Sequence, residues 1–223
     1  MEKTYNLGKV LPFWDILTDE EQKQIIHSAV ILSADNDMYI NSTLFSTDGP
    51  VWVVKGSVRE FVMSKQGREL TLYRFYQGDN FNHSTVVFLP SNNAQRGGFI
   101  YAGSELVHIP RDIFFPIAMQ HPGLWEQFLG SLDDIYAKSL DLLCSAVFDS
   151  VGIRLAKHLL NQSQHWNATT VRATHEELAN ELGSTRVVIS RELEHLAKAG
   201  AIDIHRGRIT IKDREKLQEV AES

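Results

Sequence analysis

Thr174-His175-Glu176-Glu177-Leu178-Ala179-Asn180-Glu181-Leu182-Gly183-Ser184-Thr185-Arg186-Val187-Val188-Ile189-Ser190-Arg191-Glu192-Leu193 is the stretch on which the reading of this chain turns. Thr174 can accept hydrogen bonds from the free amides of the turn that follows it, and Glu177, three residues on, completes a reciprocal capping box. Leu178, Ala179 and Leu182 form one apolar stripe at helical spacing. Ala179 is small, which lets a second helix approach closely. Gly183 ends the first helix, because only glycine takes a left-handed conformation without a Cβ penalty. Ser184 or Thr185 then caps a second helix. In that helix Val188, Ile189, Leu193 and Leu196 face inward, while Arg186, Val187, Ser190, Arg191 and Glu194 face outward. The pattern predicts two short helices joined by a tight turn, with a basic, hydroxyl-bearing face on the second.

That is the geometry of a helix-turn-helix, which lays its second helix in the major groove of DNA. An ordinary helical hairpin with solvated arginines would not require the glycine turn, the small residue and the capping box together. The following residues point the same way. Ala199-Gly200-Ala201 closes the second helix. Ile202-Asp203-Ile204-His205-Arg206-Gly207-Arg208-Ile209-Thr210-Ile211 then alternates apolar and polar residues around a turn at Arg206-Gly207, which predicts a short hairpin. A helix-turn-helix followed by a basic hairpin is a winged helix. Arg206 and Arg208 are expected on phosphates, which positions a protein without reading sequence; the competing reading is a solvated turn. A last helix is expected from Asp213 to about Glu222.

The whole chain has 223 residues, room for two domains of ordinary size. Its formal charge of −6 looks wrong for a DNA binder until it is divided. Residues 1–148 carry 11 Lys and Arg against 17 Asp and Glu, a balance of −6, whereas residues 149–223 carry 11 of each. The acidity lies in the first part, where a sensor is expected. The second part needs only a local basic face to bind phosphates. A lone Cys144 excludes an internal disulfide framework and cysteine-clustered zinc or iron–sulfur sites, and a reducing cytoplasm is the expected location. No apolar run is long enough to span a membrane, and the start does not read as a secretory signal. No glycine-rich phosphate loop, nucleophile elbow or clustered acid/base set occurs, so no catalytic or metal-ligating residue is assigned and no enzyme activity is expected. His175 beside Glu176 and Glu177 stands at a helix start, where a solvated or phosphate-contacting role is expected.

Upstream, residues 5 to about 28 read as helical, with a start at Thr18-Asp19-Glu20-Glu21 and Ile25 and Ile26 behind it. From Val30 to Ile109, short β-rich runs are broken by turn residues. The runs are 51–54, 57–63, 69–75, 99–102 and 105–109, with breaks at Asp48-Gly49-Pro50, Lys55-Gly56, Gln77-Gly78-Asp79-Asn80 and Gly97-Gly98, among others. Strands at this spacing predict an antiparallel sandwich or barrel. A long helix is expected from about Pro122 to Phe148. Trp125, Phe128, Leu132, Ile135, Ser139, Leu142 and Ala146 form one stripe along it. Leu129, Tyr136, Leu140, Leu143 and Val147 form another on the adjoining face. The first stripe can pack on the β domain, and the second can pair with the same helix of another chain; the alternative is one helix fully buried within a single chain. Asp149-Ser150-Val151-Gly152 reads as a hinge before a helix from Ile153 to about Gln162, and a strand from Thr169 to Ala173 leads into the helix-turn-helix.

This order resembles the Crp/Fnr superfamily of bacterial transcription regulators over nearly the whole chain. The likeness is strongest over Thr174 to Ile211. Further upstream it rests on Val54-Lys55-Gly56-Ser57-Val58, on Tyr76-Gln77-Gly78-Asp79-Asn80-Phe81 and on Val107-His108-Ile109-Pro110. The resemblance implies an α+β fold in three parts: an antiparallel β-roll of the double-stranded β-helix or jelly-roll type over 1–120, a dimerisation helix over 121–148, and a winged helix-turn-helix over 149–223. It implies a homodimer that binds a palindromic double-stranded site through the major groove, coupled to an effector in the roll, with RNA polymerase as a partner if the protein activates. The expected DNA-binding residues are Thr174, His175, Ser184, Thr185, Arg186, Val187, Ser190, Arg191, Arg206 and Arg208. Ser190-Arg191 matches the Ser-Arg pair of Fnr-type members, which makes Arg191 the guanine reader. The family often has a glutamate three residues before that serine. Here it is Val187, which offers only apolar contact, so the half-site is expected to depart from the common one.

Cyclic-nucleotide members carry a Gly-Glu pair for the ribose and an Arg-Ser pair for the phosphate; the corresponding places here hold Asn82-His83 and Arg96-Gly97, and the ribose-binding carboxylate is gone. Haem-containing, carbon-monoxide-sensing members carry an axial histidine where this chain has His83, but the cysteine before it is absent. The oxygen-sensing branch needs several cysteines. Asn82, His83 and Arg96 stand as candidate effector contacts, with no cofactor assigned and the effector's identity open. The alternative function is a cyclic-nucleotide- or haem-binding sensor module that acts on a protein partner.

Overall fold

The structure is a computed structural model that describes residues 6–40, 48–82 and 94–223, the side chains of residues 82 and 94–96 excepted. The chain divides into two compact units, Met1–Phe61 with Leu72–Lys138, and Val62–Thr71 with Ser139–Ser223.

The first unit opens with short 3-10 turns at Leu7–Lys9 and Trp14–Ile16, followed by helix α1, Asp19–Ser28. A single helix over residues 5–28 does not form; Pro12 removes a backbone donor in the middle of that span. The start predicted at Thr18 does form, since Thr18 and Glu21 make a complete capping box. Ile25 is fully buried behind it, but Ile26 is exposed.

Strands β1 (Val30–Ser33), β8 (Glu105–His108), β3 (Pro50–Lys55) and β6 (Asn80–Asn82) form one sheet in that order. All three neighbouring pairs in it are antiparallel. Strands β2 (Met38–Ile40), β7 (Ala94–Ile100), β4 (Ser57–Ser64) and β5 (Glu69–Tyr76) form the other. The two sheets share a core: Val51, Phe81 and Leu106 come from the first, and Ile40, Val58, Phe75 and Ile100 from the second.

The break expected at Gly97-Gly98 is instead strand. A Cβ on Gly97 would come within 2.7 Å of the Phe61 ring, and one on Gly98 within 2.6 Å of Ile40. These glycines let neighbouring strands carry large side chains at close approach. Strands β1, β2 and β6 were not expected from the alternation, and neither was helix α2, Arg111–Gln120.

Helix α3 runs from Pro122 to Phe148, at the expected bounds. At its start a second core gathers aromatic rings on Phe114, with centroids of Phe13, Trp52 and Phe128 at 6.0, 5.4 and 5.6 Å. Each fully buried Phe or Ile in these cores is worth roughly 1.5–3 kcal/mol of apolar burial. Among the described residues, no helix is long and apolar enough to cross a membrane.

In the second unit helix α4, Val151–His165, is longer at both ends than the expected Ile153 to about Gln162; Ser150 caps its start by accepting from Ile153 N at 3.2 Å. Next come β9 (Thr170–Val171), shorter than the strand expected over 169–173, then α5 (His175–Leu182) and α6 (Arg186–Lys198). Strands β10 (Ile202–His205) and β11 (Arg208–Ile211) follow, and the chain ends in α7 (Arg214–Ala221). The three strands form an antiparallel sheet in the order β10-β11-β9. One core joins the elements: Leu155 and Leu159 of α4, Leu178 and Ala179 of α5, Ile189 and Leu193 of α6, Ile202, Ile209 and Leu217.

Candidate nucleic-acid interface

The turn between α5 and α6 is built as its residue types require. Thr174 Oγ1 accepts from Glu177 N at 3.2 Å, and Thr174 N donates to Glu177 Oε2 at 2.6 Å. Gly183 takes the left-handed conformation at φ +61°, and Ser184 N closes the helix end on Ala179 O at 2.9 Å. Of the two cap candidates it is Thr185 that serves α6, its hydroxyl accepting from Val188 N. At the far end of α6, Gly200 N donates to Ala197 O and Ala201 N to Leu196 O, the paired bonds of a Schellman stop. Arg154 of α4 donates from Nη1 to Leu182 O at 2.7 Å, satisfying a carbonyl left over at the end of α5.

With Ile189, Leu193 and Leu196 buried, α6 presents the opposite face to solvent. Arg186 and Val187 are exposed on its first turn, and Val187 reaches 78 % exposure, high for an apolar side chain. Arg191, one turn later, has a side chain 63 % exposed. Val188 is partly buried and Ser190 half-buried.

His175 is not simply solvated: its Nδ1 lies 2.7 Å from Ser190 Oγ and ties the start of α5 to the middle of α6. Arg191 is bound too, donating from Nε and Nη2 to Glu192 Oε1 at 3.2 and 3.0 Å. Sequence reading found neither contact. Helical spacing speaks for pairs three or four apart, not for neighbours or for residues on different helices. Thr174 and Thr185 act here as helix caps, and Ser184 is half-buried in the turn.

The wing forms as expected. Gly207 adopts φ +70° at the turn, and His205 pairs with Arg208. Arg206 and Arg208 are exposed on it. His83 lies outside the described residues, Asn82 ends β6 opposite Pro50, and Arg96 is within β7. Among the described residues, no group of three or more His, Cys, Asp or Glu is placed to hold a metal ion.

The hinge carries a network of its own. Asp149 Oδ2 accepts from Lys157 Nζ at 2.7 Å and from Ser145 Oγ at 2.6 Å, so it fastens the end of α3 to α4. The Lys157 hydrogen bond, followed by that of Ser145, holds the Asp149 carboxyl below its ordinary value.

A capped two-helix turn with an exposed basic face, followed by a basic wing and preceded by a two-sheet unit and a long helix, defines a DNA-binding regulator. Comparison with known proteins agrees. A family model of the Crp-like helix-turn-helix domain matches residues 153–220. A solved structure from Eubacterium rectale, assigned to the Crp/Fnr family of transcriptional regulators, superposes with a TM-score of 0.80 at 25 % identity, over 96 % of this chain and 100 % of that one. The anaerobic regulatory protein of Aggregatibacter actinomycetemcomitans is 23 % identical over 91 % of this chain and 77 % of its own length. The global nitrogen regulator of Synechococcus elongatus is 21 % identical over 71 % of this chain and 75 % of its own. The chain carries a Crp-like helix-turn-helix domain over residues 153–220, and along most of its length it is similar to DNA-binding transcription regulators of the Crp/Fnr type.

Proposed function

We propose that the protein works as a homodimer that lays two copies of α6 in successive major grooves of a palindromic duplex, under the control of a small effector held in the β-roll. Residues 1–120 form the sensor, 121–148 the dimerisation helix and 149–223 the DNA-binding domain. The observation that carries the dimer is the second stripe of α3. Leu129, Tyr136 and Leu143 recur seven residues apart, as do Leu140 and Val147, and all five are exposed in the single chain. Leu143 is 60 % and the adjoining Phe148 80 % exposed. Seven-residue recurrence of large apolar groups is the seam of a two-helix coil. The first stripe, by contrast, is used within the chain, where Phe128, Leu132 and Ile135 pack on its cores.

On the DNA, Arg191 is the guanine reader, Val187 makes apolar contact with a neighbouring base, and Ser190 contacts a base or phosphate. Arg186, His175, Arg206 and Arg208 hold the backbone, and Thr174, Ser184 and Thr185 lie alongside. Two-fold symmetry places the half-sites about 34 Å apart. The site of action is the cytoplasm, and a dimer that activates would also touch RNA polymerase.

The test is a binding titration against a palindromic duplex at several salt concentrations. Affinity falls steeply with salt if phosphates are neutralised, and Arg191→Ala costs about 1–3 kcal/mol of specific binding. Salt-independent affinity, or unchanged discrimination at the guanine, refutes the assignment. A sensor that acts on a protein partner would bind no duplex at all.

A further inference from the structure

The role given to Arg191 requires that a long, 63 % exposed side chain be held in one place. The group that meets it is Glu192, whose Oε1 accepts from both Nε and Nη2. Successive helical residues point about 100° apart and do not ordinarily face one another, so this contact draws the guanidinium away from its free range of rotamers. Glu192 is itself well covered for a carboxylate, its side chain 18 % exposed. Its Oε2 lies 3.5 Å from His195 Nδ1 and would be 3.0 Å from a Cβ on Gly152, in the first turn of α4. One oxygen therefore holds the reader, and the other lies close to Gly152, the last residue of the hinge.

We propose that Glu192 is a positioning residue for base readout. This rests on α6 being the recognition helix. A guanidinium has five N–H donors in a planar fork. Glu192 takes the Nε–Nη2 edge, which leaves the Nη1–Nη2 end as two parallel donors, the arrangement that matches O6 and N7 of guanine. The ion pair fixes the direction of the fork before DNA arrives. Arg191 then gives up less rotamer freedom on binding, an advantage of roughly two- to tenfold in affinity for the correct base. The contact with Gly152 makes the reader's aim sensitive to the backbone just after Asp149-Ser150.

The experiment uses the full-length protein and two probes. One is the duplex that the wild-type chain enriches from a pool of randomised inverted repeats. The other is that duplex with 7-deazaguanine, which lacks N7, at the guanine Arg191 reads. The readout is the ratio of the two affinities. Arg191→Ala brings the ratio to about one. Glu192→Ala lowers it roughly two- to tenfold, weakening binding to the guanine duplex more than to the 7-deazaguanine one. Glu192→Gln, which keeps an acceptor, restores much of it. Gly152→Ala, which crowds Oε2 without altering charge, shifts it the same way as Glu192→Ala. If Arg191→Ala abolishes discrimination while Glu192→Ala keeps or improves it, the positioning role is overturned and the recognition helix stands. Equal weakening on both probes also overturns it, as an effect on folding alone. If the wild type enriches nothing, or Arg191→Ala discriminates normally, the reading of α6 falls and the proposal with it.

Discussion

Val187 is the residue at which this chain departs most from a simple reading of its own motif. A β-branched apolar group 78 % exposed on the first turn of α6 gains nothing from the core and can make only apolar contact with a base edge, such as a thymine methyl. Val187→Glu installs an acceptor for cytosine N4, so the preferred base at one half-site position moves towards cytosine, while affinity for random duplex changes little. Selection of binding sites from a random pool with both proteins checks this. Gly183 is constrained in a different way. At φ +61° it is left-handed, and a Cβ there would also meet Leu70 Cδ1 at 3.1 Å. Gly183→Ala is expected to cost about 1–2 kcal/mol of stability, read from urea unfolding.

At the scale of elements, α3 separates two uses of one helix. Its buried stripe packs on the cores of the first unit, and its exposed stripe is the seam proposed for the dimer. Leu143→Asp places a carboxylate in the middle of that seam and is expected to yield monomers at micromolar concentration, with the near-ultraviolet spectrum of the first unit unchanged. Sedimentation velocity reads the first and circular dichroism the second. Helix α1 supplies a pH test. The Glu21 carboxylate is pushed up by burial, but hydrogen bonds from Thr18 and His121 outweigh this and leave its pKa lowered. His121 Nε2 lies 2.9 Å from it and stands just ahead of α3. A carboxylate whose folded pKa is depressed adds stability that is complete above its ordinary pKa and is lost as pH falls through the folded value. Glu21→Gln should therefore narrow the gap in unfolding free energy between pH 7 and pH 3. An unchanged gap would show that the pair contributes nothing.

These elements also show what a sequence can and cannot tell. The capping box, the Gly183 turn, the basic hairpin and the α3 bounds were all legible, because each is a local rule written in neighbouring residue types. Strands β1, β2 and β6 are too short to establish an alternation. Gly97 and Gly98 read as a turn, since nothing local reveals that Phe61 and Ile40 occupy the space beside them. The His175–Ser190 and Arg191–Glu192 contacts depend on how one helix crosses another and on how a side chain bends back. Periodicity carries no information about either.

For the molecule as a whole, charge and partnership are distributed unevenly. The surplus of acid lies in residues 1–148, and the segment 149–223, to which the DNA-reading face is assigned above, is balanced. Acidity there is expected to repel a polyanion and so to limit adsorption to DNA outside a specific site. The exposed leucines and tyrosine of α3 have a genetic corollary. In the dimer proposed above, the seam contains none of the residues assigned to DNA, so an Arg191→Ala subunit still pairs with intact ones. In a cell that makes equal amounts of both, random pairing leaves only about a quarter of the dimers with two working heads. Loss of the reader should therefore behave as a dominant allele, and loss of the seam as a recessive one.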